Sequence, residues 1–215
     1  MASFFYLPEP KLFLPLYALS CLLDAADGHF ARLLNQCSKL GAVLDMVTDR
    51  STTAGLTCYL GHIFPHYMVA FQVLIGLDLS SHYMHMYSSL LGGSESHKNI
   101  KKDSNVILRL YYTSRTVLFW VCALNELFYI ALYCLYHESL VKGIFSRRLQ
   151  DSLISLVGYS TFSINVAAIL LGVCAPVWGF KQFINVIQLI GAAQHLASLD
   201  SGALSKGKSA QKRPQ

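Results

Sequence analysis

Apolar residues fill four long stretches of the chain, at 11–23, 41–64, 66–91 and 116–136, and return after Asp151 in two further runs, 153–177 and 183–199. The hydrocarbon core of a bilayer takes about 20 mostly apolar residues in a helix. The first stretch is short and spans only by continuing through Asp24 and Asp27. The second opens with Asp45 and Asp49, the third carries Asp78, His82 and His85, and the fourth holds Asn125 and Glu126. Beyond Asp151 the pattern allows two crossings, or one crossing with an interfacial or re-entrant piece. Trp178, Gly179 and Lys181 interrupt it, and Pro176 supplies a kink. The predicted architecture is an all-α, polytopic transmembrane helix bundle with about five crossings.

Composition agrees with the pattern. Of 215 residues, 53% are hydrophobic and only 13% charged, against about 25% charged in a soluble domain. The net charge of +5 does not indicate nucleic acid, because the basic residues lie in short connections and the tail between apolar runs. Basic short loops face the cytoplasm. The connection containing Arg32 and Lys39, the loop at 94–115 and the tail therefore share that side, whereas 61–66 has no Lys or Arg. Residues 1–200 are expected to form one membrane-embedded domain and 201–215 a disordered basic cytoplasmic tail. The start of the chain lacks a basic segment and contains Glu9, so no cleavable signal peptide is expected. Six cysteines without paired spacing read as small hydrophobes.

The acids carry the chemistry. Asp24, Asp27, Gly28 and Ala31 fall on one face of a helix, with Arg32 at its edge, because residues three and four apart are neighbours. Gly41, Asp45 and Asp49 step by four along the next helix. A short connection lets the two helices lie antiparallel with their acids facing. Four carboxylates at a membrane boundary are costly unless compensated. Hard divalent cations are the natural compensation, and Mg²⁺ keeps coordination positions for phosphate oxygens. The glycines remove side chains where a diphosphate must approach the backbone, and Arg32 offers a bidentate phosphate contact. The blander alternative is an exposed charge run in which these acids pair with Arg32, Lys39 and Arg50.

Together these residues read D-x2-D-G-x2-A-R-x8-G-x3-D-x3-D over 24–49, without gap or substitution. This resembles the signature of the CDP-alcohol phosphotransferases. Further stretches resemble the eukaryotic phosphatidylinositol synthases within that family: Leu-Leu-Asp-Ala-Ala-Asp-Gly at 22–28, Leu-Asp-Met-Val-Thr-Asp-Arg at 44–50, Gly-Ser-Glu-Ser-His-Lys at 93–98, Tyr-Tyr-Thr-Ser-Arg at 111–115 and Asn-Glu-Leu-Phe-Tyr at 125–129. The resemblance implies that CDP-diacylglycerol and myo-inositol give phosphatidylinositol and CMP. It implies that Asp24, Asp27 and Asp45 bind metal, two ions of Mg²⁺ or Mn²⁺. It makes Asp49 the base, and a further metal contact. Gly28 and Arg32 would hold the CDP-lipid, and Ser38 stands where related enzymes carry a threonine hydroxyl. It also implies a homodimer in the endoplasmic reticulum membrane, with the site facing the cytoplasm. Members of the family have a whole transmembrane helix ahead of the one entering the first Asp. Only 23 residues precede Asp24, so that helix is expected to be missing from this chain.

Outside the motif, Lys98 and Arg115 are candidates for the acceptor or lipid phosphate, with topology markers as the alternative. His82 and His85 read as hydrogen-bonding or acceptor-pocket groups more readily than as metal ligands, and Asp78 is expected to orient His82. Thr48 and Thr52 share the Asp45–Asp49 face, where they could bond the nucleotide or serve packing. Glu126 requires a partner, with Asn125 of a second subunit or another helix as candidates. Three competing functions remain open at this point: the same chemistry with glycerol 3-phosphate, serine or another alcohol; a poorly active form that binds lipid or pairs with a complete subunit; and a transporter. The last would need its acids near mid-bilayer, away from Arg32 and Lys39.

Overall fold

The computed structural model describes residues 2–91, 114–137 and 166–211. Among them are five α-helices and no strand: α1 (Pro10–Leu33), α2 (Lys39–Ile63), α3 (Met68–Leu91), α4 (Arg115–Tyr136) and α5 (Val166–Gln211). The first four follow the apolar stretches of the sequence closely. As its length demanded, α1 continues through Asp24 and Asp27.

Local chemistry fixes the turn between α1 and α2. Gln36 N donates to Ala31 O at 2.9 Å and Asn35 N to Arg32 O at 3.3 Å, with Asn35 at φ 53°. That pair of bonds around a left-handed residue is the Schellman ending of a helix, a role Asn fills when Gly is absent. Two residues later Ser38 caps α2, its Oγ accepting from Gly41 N at 2.9 Å. The chain therefore reverses within 34–38. Asp24 and Asp49, within one residue of being equally distant in sequence from this turn, come to the same level of the hairpin.

The two hairpin helices meet through large side chains farther from the turn. Phe13 and Tyr17 of α1, Leu56 and Leu60 of α2, Phe71 of α3, and Tyr129 and Tyr133 of α4 form the main core. A 3-10 turn at Pro65–Tyr67 joins α2 to α3. Helix α4 is seated on α5 by Val121 against Ile184 and by Phe128 stacked on Trp178, centroids 4.6 Å apart. Polar bonds tie α3 to α5: Gln188 Nε2 donates to Ser81 O at 3.3 Å, and Ser88 Oγ lies 2.7 Å from His195 Nδ1. Inter-helix bonds of this kind suit a medium in which apolar contact between helices gains little over contact with lipid.

The reading of the last third needs correction. There is no break at Trp178–Lys181: α5 is one helix from Val166 to Gln211, running through Pro176. The reason is Lys181, which is 2% exposed and turned inward to donate to Asn185 Oδ1. A lysine that looks like an interfacial marker in sequence is an interior group here. The helical backbone of α5 continues past Ser201 as far as Gln211, and 212–215 lie outside the described residues. The Ala, Lys, Ser and Gln residues past Ser201 tolerate a helix, and the first proline after them is Pro214. Residues 153–165 of the expected crossing lie outside the described residues.

By length and composition, Thr116–Tyr136 and Val166–Ser201 are each able to cross a membrane, and most of their surface faces outward. Val117, Phe119, Trp120, Ile169, Val173 and Phe183 are all exposed. Continuous apolar exposure on this scale marks a surface meant for lipid or another chain.

Candidate active site

At the turn end of the α1–α2 hairpin, carboxylate oxygens of Asp24, Asp45 and Asp49 lie within 4.8 Å of one another. Asp24 comes from α1; Asp45 and Asp49 come from successive turns of α2 and so share a face. All three are half-buried. Three like charges this close repel by Coulomb's law, more strongly as water is excluded. Hard oxygen donors from two helices, partly open to solvent, fit Mg²⁺ or Mn²⁺. No other group of three metal-capable side chains occurs among the described residues.

The structure brings some expected site residues together and leaves others apart. Asp27 is exposed and outside the three-acid cluster. Three residues along a helix advance the chain by about 4.5 Å, which carries Asp27 past Asp24 toward the turn. Arg32 folds back over Gly28: a Cβ at Gly28 would meet its guanidinium nitrogens at 3.5 and 3.8 Å. These two residues, expected to hold the CDP-lipid, thus lie together on one face of α1, Arg32 exposed and Gly28 half-buried. Ser38 is exposed and its oxygen accepts from Gly41 N, so the hydroxyl proton can still be donated outward. Gly41 has a structural reason of its own, since a Cβ there would lie 3.1 Å from Ser38 Oγ. Lys98 lies outside the described residues. Arg115 opens α4 just after Ser114, whose Oγ accepts from Val117 N at 3.4 Å.

Several expectations about polar groups change. Arg50 was a possible partner for the motif acids, yet its short ion pair goes to Asp78 at 3.0 Å; Asp49 Oδ2 is 3.8 Å away. Asp78 was expected to orient His82. His82 Nδ1 does lie 2.8 Å from the backbone oxygen of Asp78 and 3.5 Å from its carboxylate, and that carboxylate also accepts from Arg50 and from Asn185, whose Nδ2 donates to it at 3.1 Å. Glu126 finds its partners within its own chain: Tyr17 OH donates to one oxygen and Thr53 Oγ1 to the other at 3.0 Å. No second subunit is required to satisfy it. Asn125 accepts from Gln182 Nε2 at 3.2 Å. Thr52 Oγ1 donates to Thr48 O at 2.9 Å, an internal helix bond. The six cysteines form no disulfide with one another.

Arg50, Lys181 and Asn185 were not singled out from sequence as members of an interior network. Arg50 follows Asp49 directly, which hides it among motif residues. A signal did exist for the other two: Lys181, Asn185 and Gln188 recur at helical spacing within an apolar run, the signature of a polar stripe facing protein.

The comparisons with known proteins bear on the same residues. A family profile described as CDP-alcohol phosphatidyltransferase matches residues 2–91, which contain the whole acid hairpin. The chain is 47% identical over 201 residues to the CDP-diacylglycerol–inositol 3-phosphatidyltransferase of Saccharomyces cerevisiae, covering 93% of this chain and 80% of that protein. It is 44% identical over 198 residues to the protein of the same name from Candida albicans, covering 92% and 76%. It is 43% identical over 207 residues to that of Homo sapiens, covering 96% and 89%. No solved structure matches.

Proposed function

The chain belongs to the CDP-alcohol phosphatidyltransferase family, and from that premise we propose how its residues transfer the phosphatidyl group of CDP-diacylglycerol to myo-inositol, releasing CMP. The acceptor is supported by likeness, over nearly the whole chain, to transferases named for inositol in fungi, mammals and plants. A family signature alone would leave the alcohol open.

The observation that carries the chemistry is the convergence of Asp24, Asp45 and Asp49. Held by these acids, with Asp27 beside them, two divalent ions, Mg²⁺ or Mn²⁺, would neutralise the diphosphate and the charge that develops on it. Gly28 leaves the α1 surface low enough for the nucleotide diphosphate to approach. Arg32, lying over Gly28, contributes a bidentate donor, and Ser38 contributes its hydroxyl proton. Asp49 takes the proton from an inositol hydroxyl. That oxygen forms a bond to the lipid-linked phosphorus while the phosphoanhydride bond breaks, and the electron pair leaves with CMP. No covalent enzyme intermediate is needed. Lys98 and Arg115 are assigned to the acceptor or lipid phosphate side of the reaction. The enzyme works as a homodimer in the endoplasmic reticulum membrane, with the hairpin turn at the cytoplasmic face.

The test is CMP release by the purified protein in detergent–lipid micelles with CDP-diacylglycerol, with and without inositol and divalent metal. Release is expected to need both. Metal-dependent release driven by glycerol 3-phosphate or serine, and not by inositol, would overturn the acceptor.

A further inference from the structure

The proposed chemistry gives no role to the buried ion pair that adjoins it. Asp78, in the middle of α3, has a side chain only 14% exposed. It receives Arg50 Nη1 on both oxygens, at 3.1 and 3.0 Å. From α5, Asn185 Nδ2 donates to Asp78 Oδ1 at 3.1 Å, and Asn185 is itself fully buried and held by Lys181. His82 Nδ1 lies 3.5 Å from the same carboxylate. Groups from three helices thus hold one carboxylate in place.

That carboxylate fixes an arginine next to the motif's last acid. With Nη1 engaged by Asp78, the guanidinium turns Nη2 toward Asp49 Oδ2 at 3.8 Å. A charge-assisted hydrogen bond would close to about 2.8 Å. At 3.8 Å the cation lends Asp49 its field but makes no hydrogen bond to it. The guanidinium is a rigid planar fork, so the position of one arm dictates that of the other. Were Asp78 neutral, Arg50, whose side chain is 11% exposed, would have Asp49 as its nearest carboxylate. Closing the gap needs about 1 Å of movement, and attraction in a partly buried setting favours it. Asp49 would then be drawn away from Asp24 and Asp45.

We infer that Asp78 is a positioning residue for Asp49: by anchoring Arg50 from inside the bundle, it keeps that guanidinium off the carboxylate and leaves Asp49 turned toward Asp24 and Asp45. This rests on the reading of those three acids as the metal site. Residues behind a metal ligand alter metal affinity about 10- to 100-fold when removed, which sets the expected size of the effect.

The experiment measures Mn²⁺ binding by the free-ion electron paramagnetic resonance signal, with metal alone, on purified wild type, Asp78→Asn, Arg50→Met, the double variant and Asn185→Ala. Elution as a single species checks folding, and steady-state CMP release follows in parallel. Asp78→Asn is expected to weaken Mn²⁺ binding about tenfold and to lower kcat while the KM for inositol stays within about twofold of wild type. Asp78→Glu should restore part of both. In the Arg50→Met background the Asp78→Asn change should add nothing. Asn185→Ala, which loosens Asp78 but keeps its charge, should shift Mn²⁺ binding in the same direction by less. Wild-type Mn²⁺ affinity in a folded Asp78→Asn protein, or an equal loss with and without Arg50, overturns the inference. If Asp78→Asn does not fold, wild-type affinity in Asn185→Ala overturns it. Wild type that binds no Mn²⁺ overturns the metal reading and this inference together. Wild type that binds Mn²⁺ but ignores inositol overturns the acceptor alone.

Discussion

Two groups of charge meet at successive residues of α2, Asp49 and Arg50, and they are treated oppositely. Asp24, Asp45 and Asp49 gather same-sign charges within 4.8 Å, half-open to solvent, with the Asp49 side chain 43% exposed. One residue on, Arg50 turns inward to Asp78, and their side chains are 11% and 14% exposed. Every buried side-chain nitrogen or oxygen among the described residues has a hydrogen-bond partner. The inner group therefore balances its own charge, whereas the outer group concentrates negative charge that a cation would relieve. A folded chain that satisfies its interior so completely has no folding reason to crowd three carboxylates at its rim. That contrast separates charge that holds the fold from charge kept for a ligand.

The largest effect should come from the outer group, on activity and not on stability. Asp49→Asn is expected to lower the rate of CMP release about 10³-fold, while the metal-free protein melts no lower than wild type because a repulsive charge has gone. Full inositol incorporation by Asp49→Asn would remove Asp49 as the base. The inner group should respond in the opposite sense. Asp78→Ala removes the short interior partner of Arg50 and leaves it only Asp49, 3.8 Å away, at a cost of up to about 3–5 kcal/mol, read as lost thermal stability in detergent. A melting temperature like that of wild type would mean that Asp49 or water takes the place of Asp78 at no cost.

Metal sharpens the same comparison. Mn²⁺ at about 100 times its dissociation constant should stabilise the folded protein by about 2.7 kcal/mol. Chelation should reverse this and stop CMP release. Stabilisation that survives in a variant with both Asp45 and Asp49 changed to Asn would place the ion elsewhere. Smaller effects follow from the turn. Ser38→Ala removes the cap on α2, worth about 1 kcal/mol; a fall in CMP release with unchanged KM for CDP-diacylglycerol would limit Ser38 to that structural task. Gly28→Ala is the mildest change. The added Cβ meets Arg32 only at ordinary contact distance, and alanine favours a helix by up to about 1 kcal/mol. The variant should melt at or slightly above wild type and yet release CMP more slowly, and equal activity would mean that nothing approaches the backbone at Gly28.

Much of this was legible in the linear pattern, for reasons that can be named. Spacing of three and four residues sets faces on a helix regardless of surroundings, so the facing of Asp45 with Asp49, and of Gly28 with Asp24, followed from sequence. The bounds of α2 to α4 followed from apolar run length, whereas α1 runs ten residues past its apolar stretch to Leu33. Asp27 was harder, because sharing a face does not fix the level along the helix axis relative to a partner helix. Glu126 was harder still: its donors, Tyr17 and Thr53, come from two other helices, and no spacing rule connects residues on different helices.

The chain by itself determined the helices, the faces on which the acids of α1 and α2 lie, and the chemistry those acids suit. Each depends on contacts within a few residues. Only the tertiary structure decided that Lys181 belongs to the interior, that α5 runs unbroken past it, and that Arg50 faces Asp78 while standing 3.8 Å from Asp49. A charged side chain chooses its partner by the distance and solvent exclusion that packing creates, and these are set by helices far apart in the sequence.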